Sequence, residues 1–161
     1  MCQYSSENGL ANDWHFVHLG SRAVGGAGLV MAEATAVTPQ GRISPEDLGL
    51  WQDSHIEPLA RITRFVREQG AVPAIQLAHA GRKAGMYRPW AEQQGVVGNS
   101  AGGWRAVAPS PVAYADGYPM PTELGDGEIG EVIEAFRSAD RSVGWLLRQS
   151  DSDPSPRGGC R

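Results

Sequence analysis

The sequence predicts an α/β fold built on a parallel sheet. Two short, nearly continuous apolar runs, at residues 27–34 and 71–78, have the pattern of strands covered on both faces. Three segments with apolar residues at helical spacing flank and separate them, giving the order helix, strand, helix, strand, helix. Strands alternating with helices form βαβ units, which belong to an open doubly wound sheet or to a closed barrel. Two strands do not decide between these.

Asn12 or Asp13 can cap the first helix, whose apolar positions Trp14, Val17, Ala23 and Val24 lead to Gly25-Gly26. The run from Ala27 to Ala34 is the first strand, and Thr38-Pro39-Gln40-Gly41 turns the chain after it. Ser54, with Glu57 three residues on, has the capping-box pattern of a second helix that ends at Gln69-Gly70. Its buried stripe is Ile56, Leu59, Ile62 and Val66, and Pro58 falls near its first turn, where a missing N–H costs least. Ala71 to Ala78 is the second strand. From residue 81 to 130 glycine and proline recur every few residues, which predicts a long excursion with little regular structure. A third helix is expected from about Gly127 to Ala139, with Ile129, Val132, Ile133 and Phe136 on one face.

The 161 residues suit one domain or a fragment of a larger one. With 41% hydrophobic and 20% charged residues, neither wholesale disorder nor a membrane protein is favoured. A net charge of -4 gives no electrostatic reason to expect nucleic acid or an acidic membrane surface as partner. The start, Met1-Cys2-Gln3-Tyr4-Ser5-Ser6-Glu7, lacks a basic region followed by an apolar one, so a cytoplasmic location is the expectation. Cys2 and Cys160 lie at opposite ends of the chain, outside any metal-ligand spacing, and are expected to be reduced thiols.

In α/β proteins, ligands sit beyond the carboxyl ends of the strands. Glu33, Ala34 and Thr35 occupy that position on the first strand, and Gln76, His79, Arg82 and Lys83 on the second. Burying the Gln76 amide without partners would cost about 1–3 kcal/mol, so it is either the hydrogen-bonding partner of a planar heterocycle or a core glutamine bonded to backbone. His79 reads as a structural histidine. Arg82 and Lys83 form either an anion-binding pair or a solvated basic pair. His15 and His18 are three apart on a helix without a third ligand, so no zinc site is expected. No glycine-rich dinucleotide or phosphate loop and no nucleophile-elbow serine is present.

The string Gln76-Leu77-Ala78-His79-Ala80-Gly81-Arg82-Lys83-Ala84 resembles the Q-L-x-H-x-G-R segment of the old yellow enzyme family. Glu33-Ala34-Thr35-Ala36-Val37 followed by Pro39-Gln40-Gly41-Arg42 resembles the family's second-strand segment, and Met1-Cys2-Gln3-Tyr4-Ser5 the M-C-x-Y-S after its first strand. Arg88-Pro89-Trp90 and Ala108-Pro109-Ser110 resemble further landmarks, so the likeness covers roughly residues 1 to 140.

The resemblance implies the N-terminal portion of a (β/α)8 barrel with FMN at its C-terminal mouth, reduced by NADPH or NADH and reoxidised by an activated alkene or enone. By motif position, Cys2 resembles the cysteine that contacts the flavin and tunes its potential, and Tyr4 the tyrosine that seats the substrate carbonyl. Ala34 matches the small residue against the ring, and Gln76 the amide that hydrogen-bonds its pyrimidine side. Lys83 resembles a lysine at the substrate end. Full-length family members are expected to be homo-oligomers. The family's first strand would precede Met1, and a strand bearing a histidine pair would follow Ala139. The chain instead continues from Ser142 to Arg161 with nothing family-like, so residues 1–140 are expected to form the barrel portion and 141–161 an unstructured or frame-shifted tail. A complete barrel needs roughly 200 residues or more, so the isolated chain is expected to bind FMN weakly if at all. The competing readings are a non-enzymatic remnant and a metal-dependent hydrolase using His79 and Glu33; the second lacks a third ligand.

Overall fold

The computed structural model describes residues 1–148. An irregular segment, residues 1–12, leads into α1 (Asp13–Val24), β1 (Leu29–Ala36), α2 (Ile56–Glu68) and β2 (Val72–Ala78). A long excursion holds a two-residue ladder, β3 (Val107–Ala108) with β4 (Thr122–Glu123), and α3 (Asp126–Arg148) follows.

α1 starts where Asn12 accepts the Trp14 N–H at 3.1 Å, while the His15 ring accepts the Asn12 N–H at 3.2 Å. This is a capping box with histidine in the place of the usual Glu or Gln. The box expected at Ser54 and Glu57 does not form. A 3-10 turn over Asp53–His55 leads straight into α2, and Ser54 Oγ instead accepts from the Gln52 amide at 2.7 Å.

β1 and β2 pair in parallel from Leu29↔Val72 to Ala36↔Ala78. The register slips between Ala32 and Ala34, so Ala32 faces Ile75, Ala34 faces Gln76, and Glu33 has no partner on β2. A bulge of this kind re-aims side chains and bends the strand. The helices cover one face of the sheet: Val30 and Ala32 pack with Leu19, Ala23, Leu59, Ile62 and Val66 in the core. The other face is open, with Leu29, Met31 and Val72 each more than half exposed. The expectation that both faces are covered is thus met on one side alone, because the described residues supply two strands to this sheet and no layer over its inner face.

α3 corrects the expected boundary at 140 for residues 141–148, which continue the helix without a break. Its buried face is also different from the expected stripe. Ile129 and Ile133 are exposed, whereas Ala135, Phe136, Ala139, Val143 and Leu146 meet the core at spacings of one to four residues. The apolar side chains that continue past 140 hold the helix against α2 and β2. Residues 149–161, including Cys160, lie outside the described residues.

Candidate active site

The carboxyl ends of β1 and β2 hold a contiguous row of the residues singled out from the sequence. Ala34 and Gln76 are register partners, and the Cys2 thiol lies close enough to the Ala34 backbone amide for that amide to pull its pKa down. Gln76 is exposed, not buried as expected, and its side-chain amide has no hydrogen-bond partner among the described residues. Strand alternation explains this. Ile75 faces the helices, so Gln76 must point to the open inner face.

Cys2 is a half-buried free thiol. Burial pushes it above its ordinary value, and the carboxylates of Asp47 and Glu33 add to this, while the Ala34 amide pulls the other way. The sulfur is therefore a neutral thiol at neutral pH. Tyr4 adopts a left-handed backbone, φ 49°, which costs a non-glycine residue some strain. Its ring meets Trp90 edge-on, 5.4 Å between centroids, and the Arg88 guanidinium donates to its carbonyl at 3.3 Å. Burial, and then repulsion from Cys2, Asp47, Glu33 and Tyr118, push the Tyr4 phenol up to about 12. It is a proton donor throughout the physiological range.

Lys83 does not touch Cys2, Ala34 or Gln76 in any described contact. Its ammonium stands over the Tyr114 ring, 4.0 Å from the centroid, and Tyr114 meets Tyr118 edge-on at 5.0 Å. Because Tyr118 also acts on Tyr4, the aromatic residues connect Lys83 to the row. Arg82 is structural: it donates to the Val112 carbonyl at 2.9 Å and to Ser110 Oγ at 3.1 Å, pinning the excursion. His79 is also structural. Its ring lies so close to Gly41 that a Cβ there would stand 2.8 Å from Cδ2, which joins the turn after β1 to the end of β2. Burial pushes the His79 imidazole below its ordinary value.

From the sequence, Glu33 is placed at the end of the first strand without a role toward the flavin, and Asp47 is not singled out at all. The bulge turns Glu33 inward to 6% exposure. Its Oε2 accepts the Gln3 N–H at 2.6 Å, and its Oε1 is buried without a hydrogen bond, 3.7 Å from His15 Nε2. Asp47 accepts from the Ile43 N–H at 2.7 Å and from the Ser44 N–H and hydroxyl at 3.2 and 3.0 Å. Burial nonetheless pushes its carboxyl up to about 6, against those hydrogen bonds and with help from Glu33. A charge inside an apolar strand was the visible signal for Glu33. Tyr118 carried none, since it sits in the glycine- and proline-rich excursion.

The family model for NADH:flavin oxidoreductase / NADH oxidase matches residues 1–144. The chain belongs to this family. The NADH:flavin oxidoreductase of Gibberella zeae is 46% identical over 142 residues, which are 86% of this chain and 34% of that protein. The chain thus spans about a third of the length of this curated member of the family. Among solved structures, morphinone reductase aligns with a TM-score of 0.72 at 22% identity, over 91% of this chain and 40% of its own. A 2-naphthoyl-CoA reductase bound to 2-naphthoyl-CoA aligns at 0.74 and 23% identity, over 91% of this chain and 22% of its own. These likenesses show the fold, the N-terminal part of a (β/α)8 barrel. The row at Cys2, Ala34 and Gln76 lies at the carboxyl ends of its strands, where barrel enzymes of this class build their sites.

An apolar groove of about 240 Å³ opens on the other side of the sheet, lined by Val30, Ala32, Ile75, Leu59, Val143 and Leu146. It is a gap between helices and strands and holds none of the polar residues of the row.

The residues at the row fit FMN. Among the described residues, Gln76 has both amide donors and its acceptor unengaged, suiting a ring edge that alternates carbonyl and N–H groups. Ala34 leaves the backbone approachable, and Cys2 offers a neutral thiol beside it.

Proposed function

We propose that the chain carries one wall of the site of an FMN-dependent oxidoreductase of the old yellow enzyme type, acting in the cytoplasm. When bound, FMN would supply the hydride relay from NADPH, or NADH, to the C=C bond of an activated alkene or enone. Gln76 would donate to and accept from the pyrimidine edge of the ring, and Ala34 would let the ring lie flat on β1. Cys2, kept neutral by burial and nearby carboxylates, would donate a weak hydrogen bond and so favour one redox state of the ring over the other. Tyr4, a phenol at every physiological pH, would donate to the substrate carbonyl and polarise it. Lys83 would act at the outer, substrate end, held by Tyr114. Full-length relatives of this type are proposed to be homo-oligomers.

The observation that carries this reading is the contact row from Cys2 through Ala34 to the unengaged amide of Gln76. A second reading, a remnant that binds no flavin, draws on the exposed Leu29, Met31 and Val72, which leave a ring with one wall and no far side. Titrating FMN into the purified chain and following flavin fluorescence separates the two. Weak but saturable quenching, abolished in a Cys2→Ala, Gln76→Leu double variant, supports the first reading. Quenching that is absent, or equal in the double variant, supports the second.

A further inference from the structure

Three buried groups meet beneath the row and take no direct part in it. They are Glu33 on the bulge of β1, His15 on α1, and Ser6 in the N-terminal segment. They do not form a nucleophilic triad. Ser6 Oγ lies 3.3 Å from His15 Nε2 and Glu33 Oε1 lies 3.7 Å from the same nitrogen, while Nδ1 is used by the helix cap at Asn12. A triad needs the serine and the acid on opposite nitrogens. Here one ring nitrogen faces both.

What the cluster does is hold a segment. Residues 1–6 have no helix or strand bonds of their own, yet they bear Cys2 and Tyr4. Their attachments are individual hydrogen bonds. The Gln3 N–H donates to Glu33 and the Ser6 N–H to the Glu46 carbonyl at 2.9 Å, while Arg88 donates to the Tyr4 carbonyl, the Asn12 amide to the Ser5 carbonyl at 2.6 Å and the Trp14 indole N–H to Gln3 Oε1 at 3.2 Å. Of these, the bond to Glu33, at 2.6 Å, is charge-assisted and holds the backbone N–H that falls between the two candidate site residues. The acid reaches Gln3 because the register slips at Glu33; in an unbulged strand it would stand on the open face beside Leu29 and Met31.

We propose that Glu33 is a positioning residue: from the bulge in β1 its buried carboxylate grips the Gln3 amide and thereby sets Cys2 against Ala34 and Tyr4 toward Trp90. This rests on the flavin reading for its purpose, though not for its test. His15, from α1, supports the acid from behind. The groups that face Cys2 are Glu33 on β1, Asp47 in the loop after it, the Tyr4 phenol and the N-terminal ammonium. Neutralising Glu33 removes one of the two carboxylates that hold the thiol in its protonated form.

The test is alkylation of Cys2 by iodoacetamide in the full 161-residue chain, read by mass spectrometry of the Cys2 peptide from neutral pH up to the alkaline pH at which the rate levels off. Glu33→Gln retains an acceptor for Gln3 without the charge, so its plateau rate should match the parent while its midpoint moves to lower pH. Glu33→Ala removes the grip, and its plateau rate should rise by about tenfold or more, as expected for loss of one charge-assisted hydrogen bond. Gln3→Pro removes the donor from the other side without touching the core, and should raise the plateau likewise if Glu33→Ala fails to fold. Plateau rates equal to the parent in Gln3→Pro would overturn the proposal, as would an unmoved midpoint in Glu33→Gln. Because this measurement needs no flavin, a chain that binds no FMN but shows these changes would lose the flavin reading and keep the grip. A chain that binds FMN with Cys2 unaffected would lose the grip alone.

Discussion

Ala34 lies directly opposite Gln76 across the parallel ladder, one step beyond the place where Glu33 breaks the register. The pairing puts a methyl group and an unengaged amide side by side at the strand ends. Gln76→Leu should therefore weaken FMN binding without unfolding the chain. The expected loss is up to about tenfold in affinity, the net worth of a hydrogen bond or two to a neutral partner. Far-UV circular dichroism and the denaturation midpoint should stay at the parent values, since the Gln76 side chain is exposed and bonds no described residue, while its backbone stays in the ladder. An unfolded variant would mean that Gln76 is a structural residue after all.

Asp47 gives a pH signature to the fold. Its carboxyl titrates at about 6, pushed up first by burial, whereas an unfolded aspartate titrates near 3.8. The folded chain therefore holds a proton that the unfolded chain has released between those values, and stability must fall as pH rises through that window. The full effect is of order 2–3 kcal/mol for a shift of about two units in a fully buried group. Asp47→Asn carries no such proton, so subtracting its urea-unfolding free energy from that of the parent at pH 4 and pH 7 should expose the slope. Parallel curves for the two chains would refute it.

Trp90 shields Tyr4. Burial is the largest cause of the raised Tyr4 phenol, and the edge-on indole supplies part of that burial. In Trp90→Ala the Tyr4 phenol should titrate closer to 10, detectable as an earlier step in the ultraviolet phenolate signal. Subtracting a Tyr4→Phe titration isolates it from the other three tyrosines. A Tyr4 step left near 12 would show that Cys2, Asp47, Glu33 and Tyr118 dominate instead.

Much of this arrangement was legible in the residues, for identifiable reasons. The apolar runs at 27–34 and 71–78 are too short and too evenly apolar for surface helices, and α1, β1, α2 and β2 lie within a residue or two of where spacing and glycines put them. The motifs named Ala34 and Gln76, which the register pairs, and Cys2, which lies near the Ala34 amide. The bulge was not legible, because nothing in a run of small apolar residues distinguishes a slipped register from a regular one, and with it the inward turn of Glu33 was lost. The exposure of Gln76 was misread because periodicity shows which residues alternate, whereas the layer that covers each face is a tertiary fact. The cap of α2 was misread for a related reason: Ser54 and Glu57 have the right spacing, but a 3-10 turn had already taken up that stretch.

The end of α3 separates the two accounts of the chain beyond residue 140. Apolar spacing up to Phe136 suggested a face of Ile129, Val132, Ile133 and Phe136, whereas the buried side runs through Ala139 and Val143 to Leu146, which is 5% exposed. Leu146→Ala should then destabilise the chain by roughly 2–3 kcal/mol, the lower part of the range for a buried leucine. The lower part applies because Leu146 already borders the apolar groove, so truncation enlarges an existing gap instead of opening a new one. Ile129→Ala, at 37% exposure on the expected face, should change stability by no more than about 0.5 kcal/mol. Comparing the two by chemical denaturation decides the matter. Equal, negligible effects would mean that residues 141–148 contribute nothing to the fold, and the boundary at 140 would stand.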